Sequence, residues 1–187
     1  MKIGKPYRNS GRWMTILSLI FLLVSCGDIE NEYCSRRAYL QFNNQNHLNP
    51  ALAPALTGST NIFCRIYLSN SNQLTFQNNQ GMKETSTLNE WEMQSPIILG
   101  IKNSTGVIVG YGFDNVFYCY DACCPNCYDN GKMIQVLDMQ SSGIATCSRC
   151  KRSYSLSNNG LSPEGGRLDR YYAVANGVAG VLKIDNH

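Results

Sequence analysis

The stretch DACCPNCYDNGKMIQVLDMQSSGIATCSRCKRSYS, residues 121–155, carries two Cys-x2-Cys pairs, Cys124 with Cys127 and Cys147 with Cys150. Nineteen residues separate the pairs, a spacing that belongs to four-cysteine metal sites. Each Cys-x2-Cys turn aims two sulfurs at one point. Two such turns on adjacent hairpin loops complete a tetrahedron with metal–sulfur distances of about 2.3 Å. Pro125 stiffens the first turn, and Asn130-Gly131 supplies the positive φ angles of a tight hairpin immediately after it. Arg149, Lys151 and Arg152 flank the second turn, where positive charge would offset the net −2 of a divalent ion on four thiolates; a solvated basic turn is the equal alternative. Two alternatives compete with metal: disulfides formed in an oxidising compartment, and a thioredoxin-type redox pair at Cys124-Pro-Asn-Cys127. The second needs a helix N-terminus to lower the thiol pKa, and the expected hairpin speaks against it.

Outward from this stretch the pattern is that of an all-β, antiparallel domain. Period-two segments rich in β-branched and aromatic residues recur between Gly, Asn, Asp and Ser clusters. They predict strands at Ile62 to Leu68, Ile97 to Ile101, Val107 to Tyr111, Val116 to Tyr120, Met133 to Leu137 and Tyr171 to Val174. Asn176-Gly177 predicts a terminal hairpin joining Tyr171 to Ala175 with Val178 to Ile184. Between Gln41 and Gln80 the chain is rich in Asn, Gln and Ser and interrupted by Pro50 and Pro54, so exposed loop is expected there.

The N-terminus has the layout of a secretory signal. Lys2, Lys5, Arg8 and Arg12 precede an apolar run of eleven residues from Met14 to Val24, too short to span a bilayer as a helix. Leu23, Val24, Ser25 and Cys26 resemble the lipobox, in which the cysteine becomes the lipidated N-terminus. Residues 1–25 then read as a signal peptide, 26–33 as a lipidated tether and 34–187 as the domain, with the metal-binding subdomain at about 119–160. Removing residues 1–25 takes four of 16 basic and none of 13 acidic residues, leaving 12 against 13 and a net charge of −1. Such a balance gives no electrostatic case for nucleic acid. Asp28, Glu30 and Glu32 resemble the acidic export tag of Bacteroidetes lipoproteins. The expected location is the cell envelope, as an outer-membrane lipoprotein displayed at the surface. Its partners are then the membrane, through the N-terminal lipid, and an unidentified envelope protein or ligand.

With Cys26 assigned to lipid, eight of the nine cysteines remain. Four form the metal site, and the simplest disulfide pairing of the others is Cys34 with Cys64 and Cys119 with Cys123. Cys123 could also replace Cys124 at the metal.

From about Ser95 to Ile184 the chain resembles a Rieske-type domain, the all-β fold that carries a [2Fe-2S] cluster on two loops. Val107 to Asn115 is similar to the strand entering the first cluster loop, and Cys124-Pro125 stands at its Cys-Pro. Cys147-Ser-Arg-Cys150-Lys-Arg-Ser-Tyr154 follows the second loop, with Tyr154 at the aromatic position. Gly160, Pro163, Gly165, Leu168 and Tyr171 resemble the glycine-proline stretch and closing strand. The resemblance implies a Rieske-like antiparallel sandwich with a zinc-ribbon-like subdomain of two hairpin loops. It does not carry the chemistry over. A Rieske cluster needs two histidines on one iron, whereas this chain has only His47 and His187, and Cys127 and Cys150 stand at the histidine positions. Lys151 replaces the usual glycine.

Four thiolates suit zinc, a [2Fe-2S] cluster or a single rubredoxin-like iron; zinc has no redox chemistry to lose outside the cell. A closed four-cysteine shell is structural, with no position open to water, and no nucleophile–base constellation accompanies it. An enzyme is therefore not expected. His47 reads as exposed, Asp114, Asp121, Asp129 and Asp138 as turn residues, and Tyr111, Tyr118, Tyr120 and Tyr128 as core and rim packing before a ligand face.

Overall fold

The structure, a computed structural model, describes residues 32–58 and 61–186. Cys26, the signal segment and His187 lie outside the described residues. Among the described residues, eleven strands form three antiparallel sheets. The first has the order β1-β11-β10, from Ala38–Asn43, Val181–Asn186 and Ala173–Ala175. In the second, Lys83–Thr87 (β4), Gln73–Asn78 (β3), Phe63–Asn70 (β2), Val107–Tyr111 (β5) and Phe117–Asp121 (β6) lie in the order β4-β3-β2-β5-β6. The third, β7-β8-β9, is a meander of Leu137–Met139, Ile144–Cys147 and Ser153–Ser155. Two short helices, α1 (Asn44–His47) and α2 (Pro125–Asp129), complete the set of α-helices among the described residues.

Alternation along the central strands explains why they read as continuous apolar runs. In β2, Cys64 and Ile66 face one core while Phe63 faces another; in β5, Val107 and Val109 oppose Ile108; in β6, Cys119 opposes Tyr118 and Tyr120. A strand buried on both faces needs no polar side. The larger core adds Leu40, Phe42, Leu182 and Ile184 from the β1-β11 pair and Leu52 and Leu56 from the 41–80 region. The smaller adds Cys124, Cys127, Cys147, Tyr154, Leu156 and Leu168.

Several expected elements are displaced for identifiable reasons. The 41–80 region is not exposed loop: it contributes part of β1, all of β2 and β3 and buried Leu52. Its asparagines are the adhesive. Buried Asn49 accepts from the amides of Ala51 and Leu52 and donates to Ser86, and Asn78 accepts from those of Gln80 and Met82. Pro54 occupies the first turn of a 3-10 helix at Ala53–Leu56, where its missing N–H costs nothing.

Ile97 to Ile101 forms only a bridge at Ile98, paired with Tyr39. Gly100 turns the chain with φ +69, and the amides of Leu99 and Ile101 donate to Asn103 and Asp121 instead of to a ladder. The terminal hairpin forms, with Gly177 at φ +76, but its connection runs through residues 176–180 rather than two residues.

Candidate metal centre

The chain leaves the five-stranded sheet at Asp121 and rejoins its edge at Asp169, whose carbonyl accepts the Asp121 amide at 2.9 Å. Everything between these points builds the cysteine site. Buried Asp121 directs the exit: its carboxylate accepts the Tyr171 hydroxyl at 2.6 Å, the Ile101 amide at 2.8 Å and the Cys123 amide at 2.7 Å. Burial pushes this carboxyl up from its ordinary value, while the three donors pull it back.

The first turn differs from the expected hairpin. Cys124 is the N-cap of α2, Pro125 opens the helix, and Asn130 closes it with its amide on the Asn126 carbonyl. Gly131 does not adopt positive φ; Lys132 does, at +52. Its amide and that of Met133 return to the carbonyls of Tyr128 and Cys127. Met133 to Gln135 thereby closes the turn, so the strand expected at Met133 to Leu137 begins only at Leu137. The helix removes the argument from a hairpin against a redox pair, but the convergence of all four cysteines on one point replaces it. The second turn is a tight loop between β8 and β9. The Lys151 amide bonds the Cys147 carbonyl at 2.9 Å, and Lys151 takes φ +64, where the resembled family has glycine.

These two turns bring Cys124, Cys127, Cys147 and Cys150 together, with all four sulfurs within 4.8 Å of one another. Cys124 lies 3.6 Å from Cys150, and Cys127 3.6 Å from Cys147. A tetrahedron with metal–sulfur bonds of about 2.3 Å has edges of about 3.8 Å. The donor set therefore fits a tetrahedral thiophilic ion, and the group can hold a metal. Three of the four cysteines are buried.

Two polar groups face the sulfurs. The Cys150 amide faces Cys147 Sγ at 3.5 Å, and the hydroxyl of buried Tyr154 lies 3.6 Å from Cys124 Sγ. Burial raises the Cys124 and Cys127 thiols. Burial also pushes Cys150 up, but the Arg152 backbone N–H and the neighbouring thiols outweigh it and bring Cys150 down to about 7. Comparison with family models, curated proteins and solved structures gives no match. The reading of this centre rests on its own residues.

The remaining cysteines take no part. Cys124, not Cys123, has its sulfur in the four-sulfur group; Cys123 is buried, with its amide on Asp121 and its thiol pushed by burial up to about 11. Cys34, Cys64, Cys119 and Cys123 are all free thiols here. Cys64 and Cys119 lie on β2 and β6, both opposite Val109 of the intervening β5, and the cysteine acting on Cys119 is Cys34.

His47 is not an exposed loop residue either. Its ring stacks on Phe42 with centroids 4.6 Å apart and meets the buried Glu92 carboxylate at 2.9 Å. Glu92 also accepts the Asn43 and Asn89 amides, and Asn89 accepts the Glu92 amide in return, a reciprocal capping arrangement with no nucleophile in it. Asp114 behaves as a turn residue, accepting the Val116 amide. Tyr118 and Tyr120 are buried and stacked at 5.4 Å. Asp121 as the anchor of the exit, and Tyr154 as a hydrogen-bond partner of Cys124 Sγ, went unread in the sequence. An Asp two residues before Cys123 was the available signal for the first.

Proposed function

We propose that the chain is an envelope lipoprotein, membrane-anchored through Cys26, whose Rieske-like β domain carries a structural zinc site and serves binding or assembly rather than catalysis. The observation that supports it is the closed, largely buried set of four sulfurs within 4.8 Å. Cys124, Cys127, Cys147 and Cys150 would hold the ion; bound there, it supplies positive charge and a cross-link. The protein's part is to fix the two turns and to bury the shell beside Tyr154 and Leu156, leaving no coordination position for water. The Rieske-like reading draws its support from the order of features between Cys124 and Tyr171. The envelope location rests on the lipobox-like Leu23 to Cys26 and the basic-then-apolar segment before it.

A second reading is an envelope electron carrier with iron on the same thiolates. The Tyr154 hydroxyl and the Cys150 amide favour it to this extent: hydrogen bonds to ligand sulfur are a means of setting an iron centre's potential.

Purification without oxygen, followed by metal analysis and a visible spectrum, separates the two. A colourless protein with one zinc per chain supports the structural site. Stoichiometric iron with visible charge-transfer bands overturns it in favour of the carrier, and four oxidised, metal-free cysteines overturn both. The mass of the mature N-terminal peptide tests the anchor independently, because an unmodified Cys26 would end the lipoprotein reading.

A further inference from the structure

The sheet β1-β11-β10 buries one face in the larger core and turns the other to solvent. Ala173 and Ala175 pack inward and Val174 points outward. Val174 stands opposite Lys183, and Lys183 opposite Gln41, so all three share the outer face. Gln41 donates to the Tyr39 hydroxyl at 2.7 Å, and the Lys183 ammonium pairs with the Asp185 carboxylate at 2.5 Å on the same face, with Tyr39 and Tyr172 beside it. Tyr172 is 48% exposed and Val174 38%. Tyr33 meets Tyr172 edge-on, ring centroids 5.7 Å apart.

This is an amphipathic surface of a particular kind. Tyrosine presents an apolar ring with a polar tip, and lysine an apolar stem with a charged end, the two residue types that settle at membrane–water interfaces. Position supplies the second argument. Glu32 is held by Arg170, and the Cys34 amide bonds the Arg170 carbonyl at 2.8 Å, so the chain reaches the domain beside Tyr172. Only the five residues Gly27 to Asn31 separate Glu32 from Cys26, a span of about 20 Å at full extension. A tether this short gives an effective concentration on the order of millimolar; a contact too weak to recruit a free protein is then enough to orient an anchored one.

Resting on the reading of Cys26 as lipidated, we propose that the outer face of β1-β11-β10, centred on Tyr172 and Val174 with Tyr33, Tyr39 and Lys183, lies against the phospholipid headgroups of the membrane that holds the anchor.

The test uses the processed, lipid-bearing chain in nanodiscs of phosphatidylethanolamine and phosphatidylglycerol doped with a nitroxide-headgroup lipid. The methyl groups of Val174 and of Val178, which is exposed in the 176–180 connection between β10 and β11, are expected to relax at least twofold faster than those of Ile134 and Leu161, which are exposed elsewhere. A doubly substituted protein, Tyr172→Ser with Val174→Glu, should keep its metal content and fold while Val178 loses its excess relaxation. Equal relaxation at all four methyls in lipid-bearing protein overturns the inference and leaves the lipoprotein reading intact. So does burial of Val174 by self-association, which would assign the face to a second copy. Absence of lipid on Cys26, read by mass beforehand, overturns the lipoprotein reading and the inference built on it.

Discussion

On one face of the five-stranded sheet, Leu40, Phe42, Ile66, Phe76 and Leu182 meet in a core of hydrocarbon. On the other, Phe63, Ile108 and Tyr120 are covered by a layer whose centre is four sulfur atoms. The first side follows area: large apolar groups leave water, and each contributes about 1.5–3 kcal/mol. The second has three-residue and four-residue strands in β7, β8 and β9, too little pairing to stand alone. The difference teaches that one chain can close its two sides by different physics, and that each side should fail in its own way.

The strongest way to break the comparison is Cys147→Ser. Metal binding free energy is folding free energy in such sites, on the order of 10 kcal/mol. The variant should lose its metal and the protection of amides between Cys124 and Leu168, while amides of β2 and β3 stay protected in hydrogen exchange. Loss of protection throughout would mean that the two sides are one cooperative unit. Phe76→Ala is the reciprocal experiment. Phe76 is fully buried against Phe42 at 4.8 Å, and its truncation should cost about 3–5 kcal/mol in urea unfolding with metal stoichiometry unchanged.

Asp121→Asn strikes the border, because the amide must turn an N–H toward one of three donors; a loss of about 1–3 kcal/mol is expected, together with weaker metal retention. Its pH dependence has a definite sign. Burial holds the folded Asp121 carboxyl above its unfolded value, near 3.9. That shift favours the fold below the unfolded value, and its benefit is lost as pH rises through the folded one. The deficit of Asp121→Asn against the unsubstituted protein should therefore shrink with rising pH across that range. Tyr154→Phe is the mildest change. It removes one O–H from Cys124 Sγ, costing about 1 kcal/mol, and should release metal to a competing chelator several-fold more readily without changing the fold.

What could be read from the sequence divides along the same line. Strand β5 matches its expected span, Val107–Tyr111, because apolar β-branched residues specify a buried strand without help. The grouping of the four cysteines was likewise legible, since Cys-x2-Cys repeated at this spacing has few other uses. Their local setting was not. Asn130-Gly131 reads as a hairpin turn by propensity, but closing the cysteine turn requires Tyr128 and Cys127 carbonyls to meet Lys132 and Met133 amides, and a helical turn does that. The polar 41–80 region misled in the opposite sense. Asn49 and Asn78 are buried precisely where backbone amides need acceptors, a role that composition cannot distinguish from solvation.

The hydrogen bond from the Asp121 amide to the Asp169 carbonyl has a bearing on the order of events in the life of the chain. The cysteine-bearing excursion departs and returns at neighbouring points of a finished sheet, so the entropy of bringing its ends together is met by the sheet and not by the metal. If the chain is exported as proposed, it can therefore complete its hydrocarbon side first, on its own, and present two half-formed turns to whatever ion the new compartment offers. Metal choice then becomes a matter of where and when the protein folds as well as of the ligands it carries.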